Sequence, residues 1–294
     1  MNKQDLWEQP IKSSGEHGIF KKHDWIKEAD GKLISAKLLR ECAKSAQVKF
    51  NDLAKDSDGN ANHPISKKAF EYLEEKNSAH KSSILLLGYA IELLLKAGIV
   101  SLLISAPKSF LENTVKCYSH KLLNIANDLQ LKLSKEEQNL LKNLSSYIIQ
   151  ETRYPVTPTS TAEYCEKTNI ITSFVADDTQ FNLGANLFNN IRRIILDIDG
   201  TRDNTKFYCR MEMDENGYII FRAGGSLPPI FIIKYCDTQI ASELNSLSHI
   251  KVLLSRKNKE DMTIHSRLME KTWDSAIFFV VNEKKGLKRV ESKQ

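Results

Sequence analysis

The stretch Ser83–Ser105, "SILLLGYAIELLLKAGIVSLLIS", decides what kind of fold this chain has. Its length is that of a membrane-spanning helix, which needs about 20 apolar residues. Glu92 and Lys96 fall near its middle, four residues apart, where a charge facing lipid is costly. The segment stands alone between ordinary amphipathic stretches. The sequence therefore predicts a helix buried at the centre of a bundle, with Glu92 and Lys96 paired along it or satisfied by neighbours.

Outward from this helix the pattern is helical on both sides. Ile34, Leu38, Cys42, Ala46, Phe50 and Leu53 form an i+4 ladder that predicts an amphipathic helix over 30–55. The loop "KDSDGNANHP" follows, with Pro64 placed to open the next helical region. Downstream, "YSHKLLNIANDLQL" reads as a short helix with Ser119 as N-cap. Ser134 and Glu137 form a capping box that starts a helix running to Arg153, where Pro155 breaks it. "VTPTSTAEY" reads as an extended crossing. Asp177 and Gln180 repeat the capping spacing ahead of a helix with the stripe Phe181, Leu187, Phe188, Ile191, Ile194, Ile195 and Ile198.

Composition changes at Gly200. "KFYCRMEMDENGYIIFRAGG" holds two β-type runs joined through Asn216-Gly217, a strong hairpin signal. "PPIFIIKY" and "SAIFFVVNE" read as further strands, and "TQIASELNSLSHIKVLLSRK" returns to helical period. The tail "EKKGLKRVESKQ" reads as frayed and basic. The expected fold is thus α+β: an N-terminal extension (1–29), a helical bundle (30–199) and a smaller C-terminal α/β appendage with a β-hairpin and basic tail (200–294).

With 294 residues, 41% of them hydrophobic and 27% charged, the chain has material for a proper core. A net charge of +5 permits an anionic partner without requiring one. Five dispersed cysteines with no CxxC pair argue against a disulfide framework and a zinc site. "DIDGTRDN" lacks the spacing of a calcium loop and reads as a helix stop at Gly200. No metal or cofactor is expected. The start "MNKQDLWEQPIKSS" has no apolar leader segment, so the expected location is the cytoplasm, away from the membrane.

Three features of the bundle follow one another in a suggestive order. Ala90, Glu92 and Lys96 share one helix, His120 and Leu122 open another, and Arg153, Tyr154 and Pro155 end a third. In order and residue type they resemble the HEPN domain, a helical-bundle family of bacterial toxins, RNA-cleaving defence proteins and nucleotidyltransferase partners. The resemblance covers about 30–198 and leaves the appendage aside. It implies a homodimer through the bundle that binds or cleaves RNA in a toxin–antitoxin or anti-phage setting. It further implies that Arg153 grips a phosphate, Tyr154 positions the strand and His120 carries protons. Lys251, Arg256 and Lys257 would extend an RNA track, and Glu92 and Lys96 would support the site.

Active members of that family resemble one another in an Arg followed, four to six residues on, by a His. Here Thr157, Pro158 and Thr159 stand in that window. The departure keeps a second expectation open: a noncatalytic interaction module for a nucleotidyltransferase or another defence protein, such as one encoded in the same operon.

Overall fold

The computed structural model describes residues 7–56, 67–151, 159–214, 216–261, 264–282 and 286–291. Two long helices form its spine: α1 (Lys22–Asp56) and α2 (Lys67–Leu102), of 35 and 36 residues. At 1.5 Å per residue each is about 50 Å long. Shorter helices surround α2: α3 (Lys108–Tyr118), α4 (Leu122–Asp128), α5 (Lys135–Ser146), α6 (Thr161–Ala176) and α7 (Asp178–Asp197). The central helix is buried as its composition predicts, with Ile84, Leu87, Ile91, Leu94, Leu95 and Ile99 fully enclosed. Among the described helices α2 alone is long and apolar enough to cross a membrane, and 72% of its most apolar window is buried inside the protein. Gly98 lets neighbours come close: a Cβ there would meet the Leu129 side chain at 2.6 Å and that of Ile195 at 2.8 Å.

The chain then builds a five-stranded sheet, β1 (Phe207–Glu212), β2 (Tyr218–Ala223), β3 (Ile230–Lys234), β4 (Ile277–Asn282) and β5 (Gly286–Val290), in sequential order. All neighbours are antiparallel except β3 and β4, which run parallel with Ile230 opposite Ile277. A parallel pair needs a crossover. Here α8 (Asp237–Ala241), α9 (Leu247–Asp261) and α10 (Ile264–Thr272) supply it. One sheet face gives Ile220, Ile230, Ile232 and Phe279 to the bundle core. The other packs Ile219, Phe221, Phe231, Ile233 and Phe278 against Leu247, Ile250, Leu254, Met269 and Trp273. Covering on both faces explains why β2, β3 and β4 read as continuous apolar runs.

Several sequence expectations change. The buried stripe of α1 is Ile26, Ala29, Leu33, Ala36, Arg40, Ala43 and Ala46, while Ile34 and Leu38 are 60% and 63% exposed. A strict i+4 ladder drifts around a 3.6-residue helix, and small residues let α1 lie close to α2. α1 also starts at Lys22, eight residues ahead of the expected Asp30. Ser119 closes α3 with a positive φ of 49° instead of opening α4, whose N-cap is Lys121. The supposed crossing ends at Ser160, whose side chain accepts from the Glu163 N–H and starts α6. The supposed frayed tail includes β5, where Leu287 packs on the bundle core and Val290 on the opposite one. Lys288 and Arg289 between them suit an exposed edge. Pro64 lies outside the described residues.

Other expectations hold. Ser134 and Glu137 form a reciprocal capping box, and the Asp177 side chain accepts from the Thr179 and Gln180 N–H groups. β1 and β2 form a hairpin through Asn216-Gly217, and the Gly200 N–H bonds to the Asp197 carbonyl as the helix stops.

Candidate functional site

On α2, Tyr89, Glu92 and Lys96 follow at i, i+3 and i+7 and share a face. Glu92 is only 5% exposed and uses both carboxylate oxygens. Lys96 Nζ donates to Oε1 at 2.5 Å, and His120 Nδ1 donates to Oε2 at 2.8 Å. The Tyr89 ring lies 6.3 Å from the imidazole, centroid to centroid. The turn after α3 presents His120 to this face. Fully buried Leu122 anchors it, with its N–H reaching the His120 carbonyl at 3.0 Å and Ser145 Oγ on α5 at 3.2 Å.

The arrangement has a chemical consequence. A carboxylate accepting at Nδ1 fixes the proton there and directs Nε2 away from Glu92, so the ring is held in one tautomer and one orientation. Lys96 holds the carboxylate in turn. The imidazole side chain is the most open of the three, at 19% exposure. A braced, partly exposed imidazole is chemically suited to general acid–base work.

Arg153 and Tyr154 lie outside the described residues. The chain leading toward them does not. After α5 the helix widens into a π turn, Tyr147–Glu151. Such turns are frequent at functional sites. Its Ile148 side chain packs on α2 at Gly88, one turn from Glu92.

The basic track proposed from the sequence sits elsewhere. Lys251 is on α9, in the layer beyond the sheet, where it pairs with Asp274 at 3.2 Å and lies 6.0 Å from the Trp273 ring centroid. The structure therefore does not join Lys251 to His120. Arg256 and Lys257 belong to the same helix, and their side chains are outside the described residues.

A second polar cluster was not anticipated. Buried Arg40 donates through Nε to Asp178 at 2.7 Å, and through Nη1 to His80 Nδ1 at 2.8 Å and to the Val175 carbonyl at 2.5 Å. Its guanidinium also stands 5.0 Å over the Phe181 ring. The sequence signal was available: Arg40 is in phase with Leu33, Ala36 and Ala43.

Burial, with Arg40 and Lys76 adding to it and Asp178 opposing, pushes the His80 imidazole down to about 4 from its ordinary 6.5. The folded protein thus keeps His80 neutral where the unfolded chain takes up a proton. Its stabilising effect is full above pH 6.5 and declines as the pH falls toward 4, by at most about 1.4 kcal/mol per pH unit. Urea unfolding at pH 7.5 and 5.0 is expected to show a larger loss for the natural protein than for His80→Gln. Equal losses in the two would remove the histidine from the account.

Compared with family models, with curated proteins and with solved structures, the chain matches none.

Proposed function

We propose that this is a HEPN-like protein that acts on RNA, with His120 as the group that moves the proton. The observation that carries the reading is the imidazole braced by a buried carboxylate that a lysine holds from its other side. In RNA cleavage of this type the 2′-hydroxyl attacks the adjacent phosphate, and an imidazole at the attacking or leaving oxygen lowers the barrier. Arg153 would steady the phosphorane charge and Tyr154 would position the strand, as the family resemblance implies. A toxin–antitoxin or anti-phage role in the cytoplasm, for a bundle-mediated homodimer, belongs to the same reading. Exposed Ile34 and Leu38 on α1 are consistent with the dimer.

One sequence observation favours a second reading. No histidine follows Arg153 at the family's spacing. In this reading the bundle is a noncatalytic module that pairs with a nucleotidyltransferase or another defence protein, and Glu92–His120 is a structural brace.

Labelled transfer and messenger RNA incubated in EDTA separates the two. The first reading expects cleavage leaving 2′,3′-cyclic phosphate ends, reduced about 10²- to 10⁴-fold in His120→Ala. Cleavage that persists in His120→Ala overturns the assignment of the imidazole. Absence of cleavage, with a stable complex of an operon-encoded partner, overturns the nuclease and supports the module.

A further inference from the structure

Residues 9–11 pair with the chain that leaves α2: Pro10 bridges Pro107, and Ile11 exchanges backbone hydrogen bonds with Ala106 and Ser105. The loop that follows, from Lys12 to His17, then arches over a cavity of about 390 Å³. Its far walls are Val100, Ser101 and Ile104 at the end of α2, and Asp199 and Lys206 beside the sheet. That volume lies in the range of small-molecule sites.

The charges around this cavity do not balance. Lys12, Lys21, Lys22 and Lys206 line it, with His17 and His23, against Glu16 and Asp199. Glu16 is already paired with Lys108, which lies outside the cavity, at 2.9 Å. Asp199 alone faces three cations: Lys22 at 2.7 Å, Lys206 at 3.2 Å and Arg222 at 3.7 Å. Part of the excess is absorbed by the carboxyl end of α7. Lys22 donates to the Ile195 and Leu196 carbonyls, and Arg222 to that of Ile198. A helix end counts for about half a negative charge. Counted over the lining residues, Lys22 and Lys206 against Asp199 and the helix end leave the inner wall an excess of about half a positive charge, and exposed Lys12 adds to it at the rim. Arg222 Nε and Asp199 Oδ1 are buried without hydrogen-bond partners. A lining in which lysines outnumber carboxylates suits an anionic ligand.

The remaining lining names the rest of the ligand. Ile11, Phe20, Val100 and Ile104 form an apolar patch, while Ser13, Ser14 and Ser101 offer hydroxyls. We propose that this cavity binds a small phosphorylated organic anion of mononucleotide size. Its phosphate is neutralised by Lys22, Lys206 and the rim residue Lys12, and its apolar body lies on Phe20, Val100 and Ile104. The site is independent of the RNA reading and shares no residue with Glu92, Lys96 or His120. A bound anion would join the N-terminal segment, the bundle and the sheet at one point.

Titration calorimetry on the full chain tests this with AMP, ribose 5-phosphate, inorganic phosphate and adenosine as probes. AMP is expected to bind tightest and adenosine not at all. Lys206→Gln is expected to weaken AMP about tenfold or more, and Lys12→Glu by a smaller factor. Lys12 is exposed and outside the ion cluster, so its variant carries the test if Lys206→Gln does not fold. AMP should also slow trypsin cleavage after Lys12 and Lys21. Adenosine binding as well as AMP, no binding of any phosphorylated probe at millimolar concentration, or AMP affinity unchanged in Lys12→Glu would overturn the proposal.

Discussion

Replacing Glu92 by alanine is expected to destabilise the protein by about 3–5 kcal/mol, the usual cost of removing one partner from a buried ion pair. Glu92 sits in the last third of the helix that the other bundle helices pack around. Its removal leaves the Lys96 ammonium, only 12% exposed, without its counter-charge and takes the acceptor from His120 Nδ1. The loss is therefore larger than that of an exposed i,i+4 pair, which contributes a few tenths of a kcal/mol. Urea denaturation of Glu92→Ala, Lys96→Ala and the double variant measures it. The double variant is expected to recover part of the loss, because the stranded cation goes with its partner. A loss below about 1 kcal/mol, or strict additivity, would show that the triad is not coupled in this way. The same variant bears on the RNA reading, since an imidazole without its brace loses its fixed tautomer.

The second large effect is expected at Arg222. Its side chain is fully buried and points from β2 into the end of α7, donating to the Ile198 carbonyl and, at 3.3 Å, to that of Gly224. Arg222→Ala removes these bonds, leaves the Ile198 carbonyl short of a donor and opens a void between sheet and bundle. A loss of about 3–5 kcal/mol is expected. Arg222→Lys should not restore it, because one ammonium cannot replace a planar fork that serves several acceptors. Limited trypsin digestion should locate the damage, with faster cutting at Arg202 and Lys206 in the connection from α7 to β1. Wild-type stability in Arg222→Lys would sink the argument.

The order of elements was legible wherever one strong local signal sufficed. The apolar run of α2, the Ser134–Glu137 and Asp177 caps, and the Asn216-Gly217 hairpin each rest on neighbours a few residues apart. α6 was missed because its described residues bury little beyond Val175, so its faces differ weakly and its β-branched residues suggest extended chain. The phase of α1 was missed because alanines, which carry little hydrophobic weight, form its contact with α2. In the site, the Glu92–Lys96 pair follows from spacing on one helix. His120 joins it across 28 positions, and Arg40 joins Asp178 across 138, so only the packed fold brings them together.

The sheet's parallel junction has a consequence for how the molecule is made. The helices up to α7 leave the ribosome first, but β4 pairs with β3 only after the intervening crossover has been translated. At 5–20 residues per second, the roughly 80 residues between α7 and Phe279 take on the order of ten seconds. Through that interval the nascent bundle carries a bare greasy flank, the one that Ile230, Ile232 and Phe279 later seal. Vectorial synthesis thus makes the last strands a lid on a half-finished particle, and the newborn chain is most in need of chaperone protection just before it is complete.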